Sequence, residues 1–128
     1  MVLKWRLSNL FEFLFMADYN IDAKNNKLGR LASEIAIILQ DKKKPNYNPR
    51  LVGEDRVIVK NIDKLTISGG KASAKVYYRH SGPLGHLKVK KYQDVFKRNP
   101  GWILKHAVGL MLPKNRLRAK RLKRLIIE

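Results

Sequence analysis

The chain has 128 residues, with 28 lysines and arginines against 10 aspartates and glutamates, a formal charge of +18. One domain is expected at this length, and the 45% apolar share is enough for a core. The charge points to a polyanion rather than a small neutral substrate, and the absence of cysteine excludes a disulfide framework, a thiolate zinc site and a cysteine nucleophile.

Residues 1–17 read as an N-terminal extension to a domain over 18–128. Lys4 and Arg6 precede an apolar block from Leu10 to Ala17, broken by Glu12. The block falls far short of the ~20 residues a membrane span needs. It lacks a small-x-small cleavage site, and an acid is out of place in a transit peptide. Packing through Trp5, Phe11, Phe13, Leu14 and Phe15 is expected instead. Tyr19 to Ala23 reads as a strand, and Asn25 or Asn26 can cap the helix that follows. Leu31, Ala32, Ile35, Ala36, Ile38 and Leu39 keep a three/four spacing, so that helix is amphipathic. It is expected to end at Lys42-Lys43-Lys44-Pro45, where cations suit the negative end of its dipole.

Asn46 to Asp55 reads as a loop, and Val57-Ile58-Val59 as a strand buried on both faces. Leu65 to Ser68 reads as another strand, stopped by Gly69-Gly70. Val76-Tyr77-Tyr78 is strand-like, and alternation should turn at least one of the tyrosines inward. A loop rich in breakers runs from Arg79 to Gly85. Helices are expected over Tyr92 to Asn99 and Trp102 to Leu110, and a last one over Arg116 to Arg124 with Asn115 as cap. The order suggests an α/β sandwich with a mainly parallel sheet.

The charge is uneven. Residues 1–64 hold 12 basic and 8 acidic side chains, a surplus of +4; residues 65–128 hold 16 and 2, a surplus of +14. The densest stretch, Lys114 to Arg124, has seven cations in eleven residues and no acid, whereas a merely solvated face interleaves both signs. No motif builds an enzyme. A Walker loop ending at Gly70-Lys71 fails, with Leu65 and Ala72 where glycine and serine or threonine belong. No G-x-G-x-x-G or G-x-S-x-G is present. His80 and His86 lie among cations that would repel a metal ion. What remains is phosphate neutralisation by Arg79, Lys88, Lys90 and Lys91, with base stacking by Tyr77, Tyr78, Tyr92 or His80 as a lesser element. Glycines beside Ser81 would let backbone amides approach phosphate.

Four blocks resemble the L-thirteen family of large-subunit ribosomal proteins. They are Ile21-Asp22-Ala23 with Leu28 to Ala36; Asn46-Tyr47-Asn48-Pro49 with Val57 to Asn61; Lys75 to Gly82; and Arg98-Asn99-Pro100 with Ala107-Val108, Met111-Leu112-Pro113-Lys114-Asn115, Leu117-Arg118 and Leu122-Lys123-Arg124-Leu125. The resemblance implies a three-layer α/β/α sandwich around a four-stranded mainly parallel sheet, with basic extensions including the helix 114–124. It implies a non-catalytic constituent of the large ribosomal subunit that binds its RNA and is added early in assembly. Its partners would be that RNA and neighbouring ribosomal proteins, with no cofactor, metal, membrane or small-molecule substrate. Its place would be a cytoplasmic or organellar ribosome of bacterial type. The RNA-facing set so implied, with the basic stretches read above, is Arg30, Lys42, Lys43, Lys44, Arg79, His80, Ser81, Gly82, Lys88, Lys90, Lys91, Lys114, Asn115, Arg116, Arg118, Lys120, Arg121, Lys123 and Arg124. Gly29 carries weight in the first block, for RNA or for close packing of the helix start. The chain departs from the family pattern at Leu110, at Arg50 to Asp55, after Gly82 and at its C-terminus. The alternative is a free RNA- or DNA-binding regulator. A nucleotide-dependent enzyme would rest on fold analogy alone.

Overall fold

A computed structural model describes residues 17–128, so the expected packing of the N-terminal aromatic residues lies outside the described residues. Three strands, β1 (Asp18–Asp22), β2 (Arg56–Lys60) and β5 (Leu125–Ile127), form one parallel sheet in the order β1-β2-β5. The register places Tyr19, Val57 and Leu125 in one row and Ile21, Val59 and Ile127 in the next. These rows face the core, and Val57 and Val59 are fully buried. The alternate residues Asp18, Asn20, Asp22, Arg56, Lys60 and Ile126 are exposed. Ile58 is only half-buried, so β2 is covered on one face and not on two.

Helix α1 (Leu28–Leu39) buries Leu31, Ala32, Ile35, Ala36, Ile38 and Leu39, the stripe read from the sequence, together with Leu28. Neither asparagine caps it. Its cap position is Lys27, with no side-chain bond. Asn25 turns the chain at positive φ, and the Asn26 amide donates to the Asp22 carbonyl. The helix stops at Leu39, and Asp41 takes a positive φ before the three lysines, which therefore sit in a turn beyond the helix.

The fourth strand does not form. A 3-10 turn (Ile62–Lys64) leads to Thr66, which makes a single parallel bridge with Lys27. Its amide donates to the Asn26 carbonyl and its carbonyl accepts from the Leu28 amide. Leu28 then enters α1 and carries the partner chain away, so the ladder cannot extend.

A short helix α2 (Lys71–Ala74) precedes an antiparallel hairpin of β3 (Val76–His80) and β4 (Leu87–Lys91). Helices α3 (Tyr92–Arg98) and α4 (Pro100–Met111) follow. Pro100 opens α4, and the Asn99 side chain accepts from the Trp102 amide at 3.0 Å. Helix α5 (Leu117–Leu122) is only six residues long, because the chain turns there to supply β5. Its cap position is Arg116, without a side-chain bond, so Asn115 is not the cap. Helices α1 and α4 pack on each other and share the core with the inner sheet face. Ile127 reaches the start of α4, where a Cβ on Gly101 would stand 3.4 Å from it. Among the described residues the architecture is thus a mixed α/β body with helices on one face of a three-stranded sheet, beside a separate hairpin.

Ile35 is fully buried and Ile37, on the same helix, is 42% exposed. Ile35→Ala is expected to cost about 2–5 kcal/mol and Ile37→Ala under about 1 kcal/mol, read by urea denaturation.

Candidate nucleic-acid interface

The hairpin register decides which side chains share a face. Tyr77 pairs with Lys90 and Arg79 with Lys88, so these four lie on one face; Tyr78, Val89, His80 and Leu87 lie on the other. Tyr77 turns inward and Tyr78 stays 66% exposed, as alternation requires. Tyr77 meets Trp102 edge-on at 5.2 Å and His106 at 5.5 Å, and Trp102 stacks on His106 at 4.7 Å. Trp102 and His106 are four residues apart on α4, hence on the same side of the helix.

Three concave surfaces meet at this aromatic group. The first holds Lys90, Arg98 and Asp94 beside Trp102. The second, on the far side of Trp102, holds Lys105 and Arg118. The third, bounded by His106, holds Lys27, Arg30, Lys71 and Lys75. The fold thereby brings Arg30, Lys90 and Arg118 of the expected set around one centre. Trp102, Lys105, His106, Lys27, Lys71 and Lys75 join them from outside the expected RNA-facing set. The i,i+4 spacing of Trp102 and His106 was the available signal.

Lys42, Lys43 and Lys44 do not join them. They follow the far end of α1, which lies roughly 13 Å of helix from Arg30. Lys42 is exposed, and Lys43 is 3.8 Å from Glu34. Lys44 is held 2.7 Å from Asp55 and 4.0 Å from Asp41. Burial works against the charge on Lys44, but its bond to Asp55 and the attraction of Asp41, Asp55 and Glu54 prevail and raise its pKa.

The hairpin tip is self-contained. Ser81 gives both its amide and its hydroxyl to the His86 carbonyl, and the Gly82 amide donates to His80 Nδ1 at 3.2 Å. Those two amides are therefore engaged, against the expectation that they stand free for phosphate. Arg79, Lys88 and Lys91 are exposed.

The C-terminal basic segment divides in two. Lys114, Asn115, Arg116, Lys120 and Lys123 are exposed, and Arg118 is half-buried. Arg121 is 1% exposed, and its guanidinium donates to the carbonyls of Leu51 at 2.8 Å and Val52 at 3.2 Å. Arg124 donates to the carbonyls of Asp55, Leu39 and Val52. Burial holds its pKa below the ordinary guanidinium value against the pull of Asp41. Both arginines are thus spent inside the protein, where orphan loop carbonyls need donors.

Among the described residues, every ion pair involves Lys43 or Lys44, so no cation after residue 64 is neutralised by an acid within 4.0 Å. No group of three His, Asp or Glu among them stands close enough to hold a metal ion. No helix among them is long and apolar enough to cross a membrane.

Comparison with known sequences places residues 17–127 on the family of ribosomal protein L13. The chain belongs to that family. It is 44% identical over 107 residues to "Large ribosomal subunit protein uL13" of Clostridioides difficile (strain 630), covering 84% of this chain and 75% of the relative. It is 49% identical over 114 residues to the protein of that name from Gloeothece citriformis (strain PCC 7424), covering 89% and 75%. The match to the Prochlorococcus marinus (strain MIT 9312) protein is 47% over 105 residues, covering 82% and 73%. An L13 protein is a structural component of the ribosome and not an enzyme, in keeping with the failed catalytic motifs.

The division of the basic segment has a direct readout. Arg121→Ala should lower stability by about 3 kcal/mol or more, since it opens a void and strands two loop carbonyls. Lys120→Ala should stay within about 0.5 kcal/mol, both read by chemical denaturation. A second expectation concerns pH. Burial raises the pKa of Tyr77, with repulsion from Tyr92 adding to it, and burial raises that of Tyr92. A group whose pKa is raised by folding stabilises below its unfolded value and loses that contribution as pH climbs through the raised one. For Lys44, Tyr77 and Tyr92 the ordinary values are 10.5, 10.0 and 10.0, so their contribution should be constant near neutrality and fall away above about pH 10. Urea midpoints measured between about pH 7 and 11 test this.

Proposed function

We propose that this chain is a structural constituent of the large ribosomal subunit that binds the subunit's RNA through the basic surface around Trp102 and His106. The observation that carries the reading is the set of unneutralised cations after residue 64, gathered by the fold from β4, α3, α4 and α5. With no acid among the described residues paired to them within 4.0 Å, they stay available to phosphate and release counterions on binding. The family's ribosomal role and the names of its relatives support RNA as the polyanion.

The interface takes Arg30, Arg79, Lys88, Lys90, Lys91, Lys114, Asn115, Arg116, Arg118, Lys120 and Lys123, with Lys105 added. His80, Ser81 and Gly82 shape the hairpin tip that presents Arg79. Lys42 and Lys43 form a separate and weaker contact beyond α1. Arg121 and Arg124 leave the set, because their guanidinium groups are committed to loop carbonyls. Residues 18–128 act as one domain with 1–17 as an extension. Binding early in subunit assembly, before neighbouring ribosomal proteins dock, suits a small body with one strongly basic side. The protein works in the ribosome.

The test is RNA affinity against salt. With about five to eight contacts at roughly 0.7–0.9 each, the log–log slope should be several units. Arg118→Gln, Lys120→Gln and Lys123→Gln together should reduce it by about two to three and weaken binding across sequences. A slope near zero would overturn the reading.

A further inference from the structure

The cavity beside His106 has a volume of about 630 Å³. That lies within the ~300–1,000 Å³ of small-molecule sites and far exceeds what a phosphate alone would fill. Five elements build it: the start of α1, the segment after Thr66, α2 with Lys75 after it, the start of β3, and α4. Lys27, Arg30, Lys71 and Lys75 line it, and among the described residues no carboxylate does. Ile67, Tyr77, Ile103 and Ala107 give it an apolar and aromatic stretch of wall. Lys75 stands over the Tyr77 ring at 5.4 Å.

Two further features suit an anion there. Helix α1 has no side-chain cap and no acid in its first turn, so its leading amides at Gly29 and Arg30 are uncommitted. A Cβ on Gly29 would meet nothing within 4 Å. Close packing therefore does not require glycine at this position, which lies on the cavity wall. Finally, His106 and Leu110 line both this cavity and the Lys105–Arg118 surface, so the two are continuous.

We infer that the cavity receives one unpaired nucleotide of the bound RNA. Lys27, Arg30, Lys71 and Lys75 hold its phosphate, and its base lies against Tyr77 and the apolar wall. This rests on the RNA-binding reading and deepens it. Bases in a paired helix are stacked away from such a cavity, whereas a bulged nucleotide presents phosphate, sugar and ring together. Continuity with the surface proposed to hold RNA favours a strand nucleotide over a free one.

The experiment uses the full chain and two hairpin RNAs with the same stem, one fully paired and one carrying a single bulged 2-aminopurine. The bulged hairpin should bind about tenfold more tightly, with a change in 2-aminopurine fluorescence. Gly29→Leu should remove that preference while binding the paired hairpin within about twofold of the parent, and K71Q/K75Q should weaken both hairpins but the bulged one several-fold more. Millimolar AMP should leave the bulged hairpin bound. Equal affinity of the parent for both hairpins would overturn the inference and leave the RNA-binding reading standing. No affinity for either would overturn both. Displacement by micromolar AMP would show a site for free nucleotide and overturn the assignment to RNA.

Discussion

Two guanidinium groups hold the C-terminal segment where it returns to the sheet, and the rest of the structure depends on that return. The loop ending at Asp55 runs past the last strand with carbonyls that no ladder satisfies. Arg121 takes the carbonyls of Leu51 and Val52; Arg124 takes those of Val52, Asp55 and Leu39. The Asp55 carboxylate, itself buried, is met by Lys44. With the segment so fixed, the Arg124 carbonyl accepts from the Val57 amide and β5 pairs with β2. The inner face of the sheet is then complete for α1 and α4. Breaking one of these donors leaves buried polar groups without partners, which costs more than the bond itself returns.

This constraint also shapes the charged surface. Turning Arg121 and Arg124 inward orients α5 so that Arg118 and Lys105 line one hollow and share the side of Trp102. The hairpin reaches the same tryptophan from the other direction through Tyr77 and Lys90. Cations from distant parts of the chain thus converge on one aromatic group. Asp41 and Asp55 sit at the opposite end of α1, where they engage Lys44 and the loop backbone. The ion pairs among the described residues thus lie away from the cations around Trp102, which leaves those cations for phosphate.

Much of the fold was legible because it rests on local pattern. The spacing of Leu31, Ile35 and Leu39 reported α1, and Val57 and Val59 reported β2. Proline and glycine at 100 and 101 marked the break between α3 and α4. The elements that escaped local pattern depend on distant partners. Strand β4 carries an alternation, Leu87-Lys88-Val89-Lys90, but both of its faces are exposed, so no core signal marks it. Strand β5 is three residues long and follows Arg121 and Arg124, whose bonds to distant loop carbonyls fix where it begins. Leu65 to Ser68 looked like a strand, and lost its partner because Leu28 turns into a helix.

By itself the sequence determined the charge, its gathering in the second half, the failure of the catalytic motifs tested, the lack of cysteine, and the resemblance to the family through its four blocks. These follow from residue identity and spacing, which are properties of the chain alone. Only the tertiary structure decided which cations reach a phosphate. Composition cannot tell an outward cation from an inward one: Lys120 and Arg121 are neighbours of the same sign, yet the first is exposed and the second is 1% exposed. Burial and hydrogen-bond demand come from the loop carbonyls opposite, 70 residues earlier in the chain at Leu51, and no local pattern around Arg121 records them.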